Sequence, residues 1–72
     1  MKPEQLVYEM VTAQKEKLLA IARRIEPCLT EEDVLQPQDF IQLEHNPEFR
    51  YEEGCLHGME SVLAAMRSKN SN

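Results

Sequence analysis

Cys55 and His57 are the side chains in this sequence whose types and spacing invite a chemical function, with His45 as a third candidate. A thiol and an imidazole together could form a nucleophilic pair or ligate a metal ion. On a continuous helix, however, residues two apart do not face each other, and Glu53 with His57 would supply only two ligands. We therefore predict no catalytic site, no metal and no cofactor, and Cys55 as a small buried apolar residue. A metal-binding or thiol-redox site that uses Cys55 with His57 or His45 is the alternative hypothesis.

The acidic pairs are better explained by helix starts than by catalysis. Glu31 and Glu32 follow one predicted helix start, and Glu48 follows another, where negative charge interacts favourably with the helix dipole. Paired carboxylates that act as acid and base need a cleft that separates their pKa values. The segment EGCLHG also lacks the lysine and the hydroxyl residue of a phosphate-binding loop. We predict that the chain is not an enzyme, although it could complete an active site on another subunit.

The composition indicates a small acidic globular protein. The 72 residues carry a net charge of −5, with 42% hydrophobic and 29% charged residues. The basic residues are dispersed and form no stripe for phosphate groups, so neither nucleic acid nor a membrane is a predicted partner. The N-terminal stretch has no apolar segment typical of a signal peptide, and two cysteines are too few for a disulfide scaffold. We expect free thiols and a cytoplasmic location.

The first long helix is predicted at about residues 3–26, between Pro3 as an early helical residue and Pro27 as a stop. A seam at alternating spacings of four and three is typical of a packed helix pair. Its members are Val7, Val11, Gln14, Leu18, Ile21 and Ile25, and the residues expected to widen it are Leu6, Met10, Leu19 and Ala22. We expect the polar Gln14 at the edge of the seam; the alternative is that it sets the register against a partner.

The connector, residues 28–46, is too apolar for a flexible linker. Thr30 precedes three acids and is a predicted N-cap, and Gln36-Pro37 ends that first turn. The stretch PQDFIQLEHN then predicts a second short helix. Its apolar residues, Phe40 and Leu43 with Ile41 beside them, are expected to face the core and cover the long helices.

The second long helix is predicted at about residues 47–68, with Asn46 as N-cap, Pro47 first, and a frayed tail at 69–72. One side of this helix carries a broad apolar arc that includes Cys55, and the other side carries Glu53, His57, Glu60 and Arg67. The arc supplies the candidate interface residues: Phe49, Tyr51, Leu56, Met59, Val62, Leu63 and Met66. Phe49 and Tyr51 are expected to anchor the connector, with Arg50 paired to an acid such as Asp39 or Glu53. The alternative is that these three residues belong to a partner contact.

A stripe of small residues runs beside that arc, with Gly54, Gly58, Ser61 and Ala65 at spacings of four, three and four. Each glycine costs a helix about 1 kcal/mol relative to alanine. Because small residues let another helix approach closely, we predict an interaction groove filled by the first helix or by a second chain. The alternatives are a kink or break at the glycines, or a ligand that needs close approach to the backbone.

Together these elements predict an all-α fold. A single domain, residues 1–72, forms an antiparallel hairpin of two long helices with a short connecting helix, and dimerisation completes a four-helix arrangement. The predicted function is that of a non-catalytic protein–protein interaction module, whether an adaptor, a chaperone-like protein or a regulatory subunit. Its predicted partner is a second copy of itself, another helical protein, or both.

Overall fold

The computed structural model describes residues 2–70, and over that range the chain is an antiparallel pair of long helices. The elements are α1 (Pro3–Ile25), α2 (Glu31–Val34), a 3₁₀ turn (Pro37–Asp39), α3 (Ile41–Glu44) and α4 (Pro47–Asn70). The molecule measures 41 × 20 × 19 Å, so α1 and α4 set its long axis. The predicted all-α fold with two long helices packed together is confirmed. None of the helices in residues 2–70 is both long enough and apolar enough to cross a membrane.

The two long helices begin where their prolines predict. α1 ends at Ile25, one residue before the predicted end, and the Glu26 N–H makes the last helical bond to the Ala22 carbonyl at 2.8 Å. Asn46 caps α4, because its Oδ1 accepts a hydrogen bond from the Phe49 N–H at 2.8 Å.

The other end of α4 extends further than predicted. The helix runs to Asn70, so the predicted tail at 69–72 begins inside it, and residues 71–72 lie outside the described part of the chain. It is also continuous through Gly54 and Gly58, and the alternative of a break at the glycines is therefore wrong.

The connector turns sharply and is held by local hydrogen bonds. Thr30 forms a reciprocal capping box with Asp33: Thr30 Oγ1 accepts from the Asp33 N–H at 3.2 Å, and Asp33 Oδ2 accepts from the Thr30 N–H at 3.0 Å. Arg23 Nε donates to the Leu29 carbonyl at 3.0 Å and ties the connector to the end of α1. The second short helix is interrupted, because Phe40 has extended backbone between the 3₁₀ turn and α3.

The core lies between α1 and α4 and is closed by apolar residues of the connector. Leu43 and Phe49 are its largest completely buried side chains. The buried apolar residues are Val11, Leu18, Ile21, Ala22, Leu29, Val34, Leu43, Phe49, Leu56 and Leu63. Most of the seam of α1 is thereby confirmed. Leu6, Met10 and Ile41, in contrast, are exposed, and their expected place in the core is wrong.

Gln14 is the polar member of the seam, and it lies inside the helix interface. It is only 8% exposed, and its Nε2 donates to the Glu52 carbonyl at 3.0 Å and to Glu52 Oε1 at 2.8 Å. The expectation that Gln14 lies at the edge of the seam is therefore wrong. A buried amide needs partners, and α4 of the same chain supplies both acceptors.

Ion pairs along the hairpin also join α1 to α4. Lys15 lies 4.0 Å from Glu60, and Arg24 lies 2.7 Å from Glu48. At the open end, where α1 starts and α4 ends, the Arg67 guanidinium stacks over the Tyr8 ring at 5.7 Å from its centroid. Glu60 and Arg67, expected on the side of α4 away from the apolar arc, thus each contact α1, and Arg67 remains exposed.

Candidate interaction surfaces

One side of the hairpin carries apolar side chains from both long helices. Successive helical residues are turned by about 100°, which places Leu6 and Met10 on the same side of α1 as Gln14 and Lys17. The same geometry places Val62 on the side of α4 that carries Glu52. Because Gln14 and Lys17 both contact Glu52, these sides adjoin and form one surface of the folded chain.

We call this surface the apolar flank. The exposed fractions of its four most accessible members are 50% for Leu6, 46% for Met10, 70% for Tyr51 and 51% for Val62. Cys55, Met59 and Met66 are partly buried between them and the core. Exposed apolar side chains that gather on one side of a small chain mark interaction sites more often than isolated ones do.

The predicted interface arc of α4 divides between core and surface. Phe49, Leu56 and Leu63 are buried in the core of this chain, so they stabilise the hairpin itself. Met59 and Met66 are partly buried. Tyr51 and Val62 are the members left exposed.

Leu6 and Met10 are the flank residues that the sequence interpretation assigned to the core. Both lie well to one side of the Val11–Leu18 line of α1, by roughly 70° or more on a helix with 3.6 residues per turn. Ile21 lies about 70° from the same line and is nevertheless buried, so position on the helix alone does not distinguish the exposed residues from the buried ones.

The small-residue stripe lies on the outer side of α4, next to the apolar flank. Gly54, Gly58, Ser61 and Ala65 are all exposed, and a Cβ placed on either glycine would meet no atom within 4 Å in the described chain. The first helix therefore does not fill this groove, which rules out one of the two predicted occupants. The Ser61 hydroxyl donates to the His57 carbonyl at 2.9 Å, a bond within α4.

The residues with chemical potential are dispersed. Cys28 is exposed and Cys55 is partly buried, not fully buried as expected, and both are free thiols. His45 and His57 are exposed. Within residues 2–70, no group of three or more His, Cys, Asp or Glu side chains is arranged to hold a metal ion.

Charged residues near the start of α4 have structural partners. Arg50 Nη1 lies 3.1 Å from Glu53 Oε1, one of the acids predicted as its partner. Phe49 is completely buried in the core, whereas Tyr51 faces solvent. Phe49 thus acts as the expected anchor and Tyr51 does not.

Glu52 is the carboxylate whose environment is most altered. Its side chain is 14% exposed and lies 3.1 Å from Lys17 Nζ. The hydrogen bond from Gln14, followed by that from Lys17, lowers the pKa of Glu52, and partial burial opposes this only in part. These contacts favour the ionised form of Glu52, in which it links α1 to α4.

On the side of the hairpin opposite the apolar flank, α2 leaves an open recess against α1. Its volume is about 280 Å³. The apolar lining consists of Leu18, Leu19, Val34, Leu35 and Leu56. Lys15, Glu16 and Glu31 stand at its border. The recess is thus an apolar depression with a charged rim, formed by three elements of the chain.

Comparison with known proteins assigns this chain to no family. No protein-family model, curated protein sequence or solved structure matches it significantly. The function proposed below rests on the contacts, burial and charge of the chain's own residues.

Proposed function

We propose that this chain is a non-catalytic protein–protein interaction module that associates through its apolar flank. The observation that carries the proposal is the simultaneous exposure of Leu6 and Met10 on α1 and Tyr51 and Val62 on α4, on one side of the hairpin. A surface built from two packed helices is relatively rigid, which lowers the entropic cost of association.

A second copy of the chain is the partner we propose first. Two hairpins that face each other through the flank would form a four-helix arrangement with a second apolar layer. Burial of apolar surface contributes about 25 cal/mol per Å². A domain of this size has a small core and gains stability from such an addition. The methionines of the flank adapt readily to a facing surface because their side chains are unbranched and flexible.

Another helical protein could replace the second copy in the same contact. The chain would then serve as an adaptor, a chaperone-like protein or a regulatory subunit. We propose a cytoplasmic setting, which the free thiols of Cys28 and Cys55 support.

The test is molar mass in solution by light scattering over a dilution series, with circular dichroism on the same samples. We expect a dimer that dissociates on dilution. Val62→Ser should shift dissociation to higher concentration, because it removes an apolar contact at a helical position that tolerates serine. Ile41→Ser is the matched control: Ile41 is also exposed but lies on α3, outside the flank. A helical monomer at every concentration, or equal effects of the two variants, would refute association through the flank.

The small-residue stripe is tested separately with Gly58→Leu. Since a Cβ at Gly58 has open space around it in the single chain, the hairpin should remain folded. If the stripe is part of the partner contact, the larger side chain should weaken association. Unchanged association would remove Gly54, Gly58, Ser61 and Ala65 from the interface.

A further inference from the structure

We propose that the recess between α1 and α2 binds a basic amphipathic helix of another protein, which inserts one or two aliphatic side chains into it. This inference rests on the proposed interaction function but concerns a different surface. The recess contains Leu19 and Leu35, whereas the apolar flank contains Met10 and Val62, on the opposite side of the hairpin. Each surface can therefore be tested without disturbing the other.

The size and lining of the recess set the kind of group that it accepts. Its volume of about 280 Å³ lies at the lower limit of pockets for small molecules, which hold about 300–1,000 Å³. The floor is formed by Leu18, Val34 and Leu56, and these side chains offer no hydrogen bond. Leu35 forms one wall and is 67% exposed, so a bound side chain would cover apolar surface that is now in water. A leucine or methionine side chain carried on a helix matches this site.

The charges around the recess select a basic partner. Glu16 and Glu31 line the rim, and neither makes an ion pair within the described residues. Lys15 is the cation at the rim, and Glu60 lies 4.0 Å from it. Glu32 and Asp33 of α2 do not line the recess, and α2 has no basic residue that could neutralise its rim. Lysine or arginine side chains that flank an aliphatic anchor would therefore meet unneutralised carboxylates.

The probe is a short capped peptide of leucine and lysine at helical spacing, titrated into the full chain and followed by fluorescence anisotropy. We expect saturable binding that weakens with added salt. A peptide with glutamate at every lysine position should not bind. A peptide with serine at every leucine position should bind much more weakly, because the recess would remain empty.

Two matched pairs of variants locate the binding. Leu35→Ser should weaken it by about fivefold or more, whereas Ile41→Ser, at an equally exposed aliphatic residue away from the recess, should not. Glu16→Lys should likewise weaken it by about fivefold or more, and Glu44→Lys should have little effect. All four positions are exposed, so the variants should retain the helical content of the parent chain.

Three outcomes would overturn the inference. They are no saturable binding of the basic peptide, equal losses within each pair of variants, and a loss of self-association in Leu35→Ser without any peptide binding. The last outcome would assign the recess to a second copy. Failure of the proposed dimer is distinct from all of these, since it would appear as a monomeric parent chain at every concentration or as equal effects of Val62→Ser and Ile41→Ser on molar mass.

Discussion

At the scale of single residues, Gln14 and Glu52 form a partly buried, charge-assisted contact between the two long helices. The buried Gln14 amide donates twice to Glu52, and Lys17 holds the same carboxylate from the side. A buried amide left without acceptors destabilises a fold more than the average hydrogen bond stabilises it. This cluster therefore specifies one register of α1 against α4.

The lowered pKa of Glu52 predicts a particular loss of stability in acid. Because the folded chain binds the proton less readily than the unfolded chain, the stabilisation is complete above the ordinary glutamate pKa of 4.5 and is lost as the pH falls through the folded value. Urea unfolding at a series of pH values should show a steeper fall below that point for the parent chain than for Glu52→Gln.

Glu44→Gln is the control for this titration. Glu44 is exposed on α3 and makes no ion pair within the described residues, so its variant should follow the parent curve. If Glu52→Gln also follows that curve, the link from Gln14 and Lys17 to Glu52 does not stabilise the fold.

Gly58 gives a second prediction at this scale. Its backbone is helical, its φ is not positive, and a Cβ would meet nothing within 4 Å. Gly58→Ala should therefore raise the free energy of unfolding of the single chain by about 1 kcal/mol. Chemical denaturation at low protein concentration measures this, and Gly54→Ala should behave alike. A decrease would show that something approaches the backbone at this position.

At the scale of helices, three faces of α4 have different surroundings, and the residue types on each face differ accordingly. One face fills the core with Phe49, Leu56 and Leu63, one contributes Val62 to the apolar flank, and the outer face carries the glycines. Since the core face is narrow, few side chains carry the stability of the helix pair.

Substitutions at Phe49 and Tyr51 should differ most in their effect on stability, because one residue is buried and the other is exposed. Phe49→Ala should cost about 3–5 kcal/mol, because it empties a completely buried position. That is comparable with the whole stability of so small a domain, so the variant should lose most of its far-ultraviolet circular dichroism. Tyr51→Ala, two residues away and 70% exposed, should change the stability of the single chain by about 0.5 kcal/mol or less. Similar losses for both would contradict the assigned core.

Sequence periodicity predicted the helix pair well because the signals are local. Proline starts, the caps at Thr30 and Asn46, and the repeating seam of α1 depend on neighbours a few residues apart. The exposure of Leu6 and Met10, in contrast, does not depend on neighbouring residues in the sequence. Both lie beside the seam, and α2 packs on the other side of α1 and leaves them uncovered. The hydrogen-bond partner of Gln14 could not be predicted from the sequence either, since it lies 38 residues away and depends on the register of the two helices.

The interface predicted on α4 is a second case in which sequence periodicity could not show which residues are buried. A wide apolar arc on a helix does not reveal which part packs within the chain and which part remains on the surface. The structure assigns Phe49 to the core and Val62 to the surface because α1 and the connector together cover only part of the arc.

At the scale of the whole molecule, the two faces of the hairpin differ in chemistry. The apolar flank is suited to a facing apolar surface, and the recess beside α2 has an acidic rim. The net charge of −5 opposes close approach of identical chains, so the proposed dimer must form where few charges meet.

Self-association through the flank predicts a melting temperature that depends on concentration. A partner that binds only the folded chain stabilises it by mass action. The melting temperature should therefore rise with protein concentration in the parent chain, and less so in Val62→Ser. Ile41→Ser should retain the full dependence, whereas a melting temperature independent of concentration in the parent chain would argue for a stable monomer.

The distribution of contacts along the hairpin also bears on the order in which it folds. Arg23 and Leu29 are six residues apart, and Arg24 and Glu48 are 24 apart, whereas the stacking of Arg67 on Tyr8 closes nearly the whole chain. Loop closure is entropically cheaper for short separations. The turn end should therefore form early, and the helix pair should zip towards its open end. Weakening the Asn46 cap would slow folding, while removal of the Arg67 side chain would mainly accelerate unfolding.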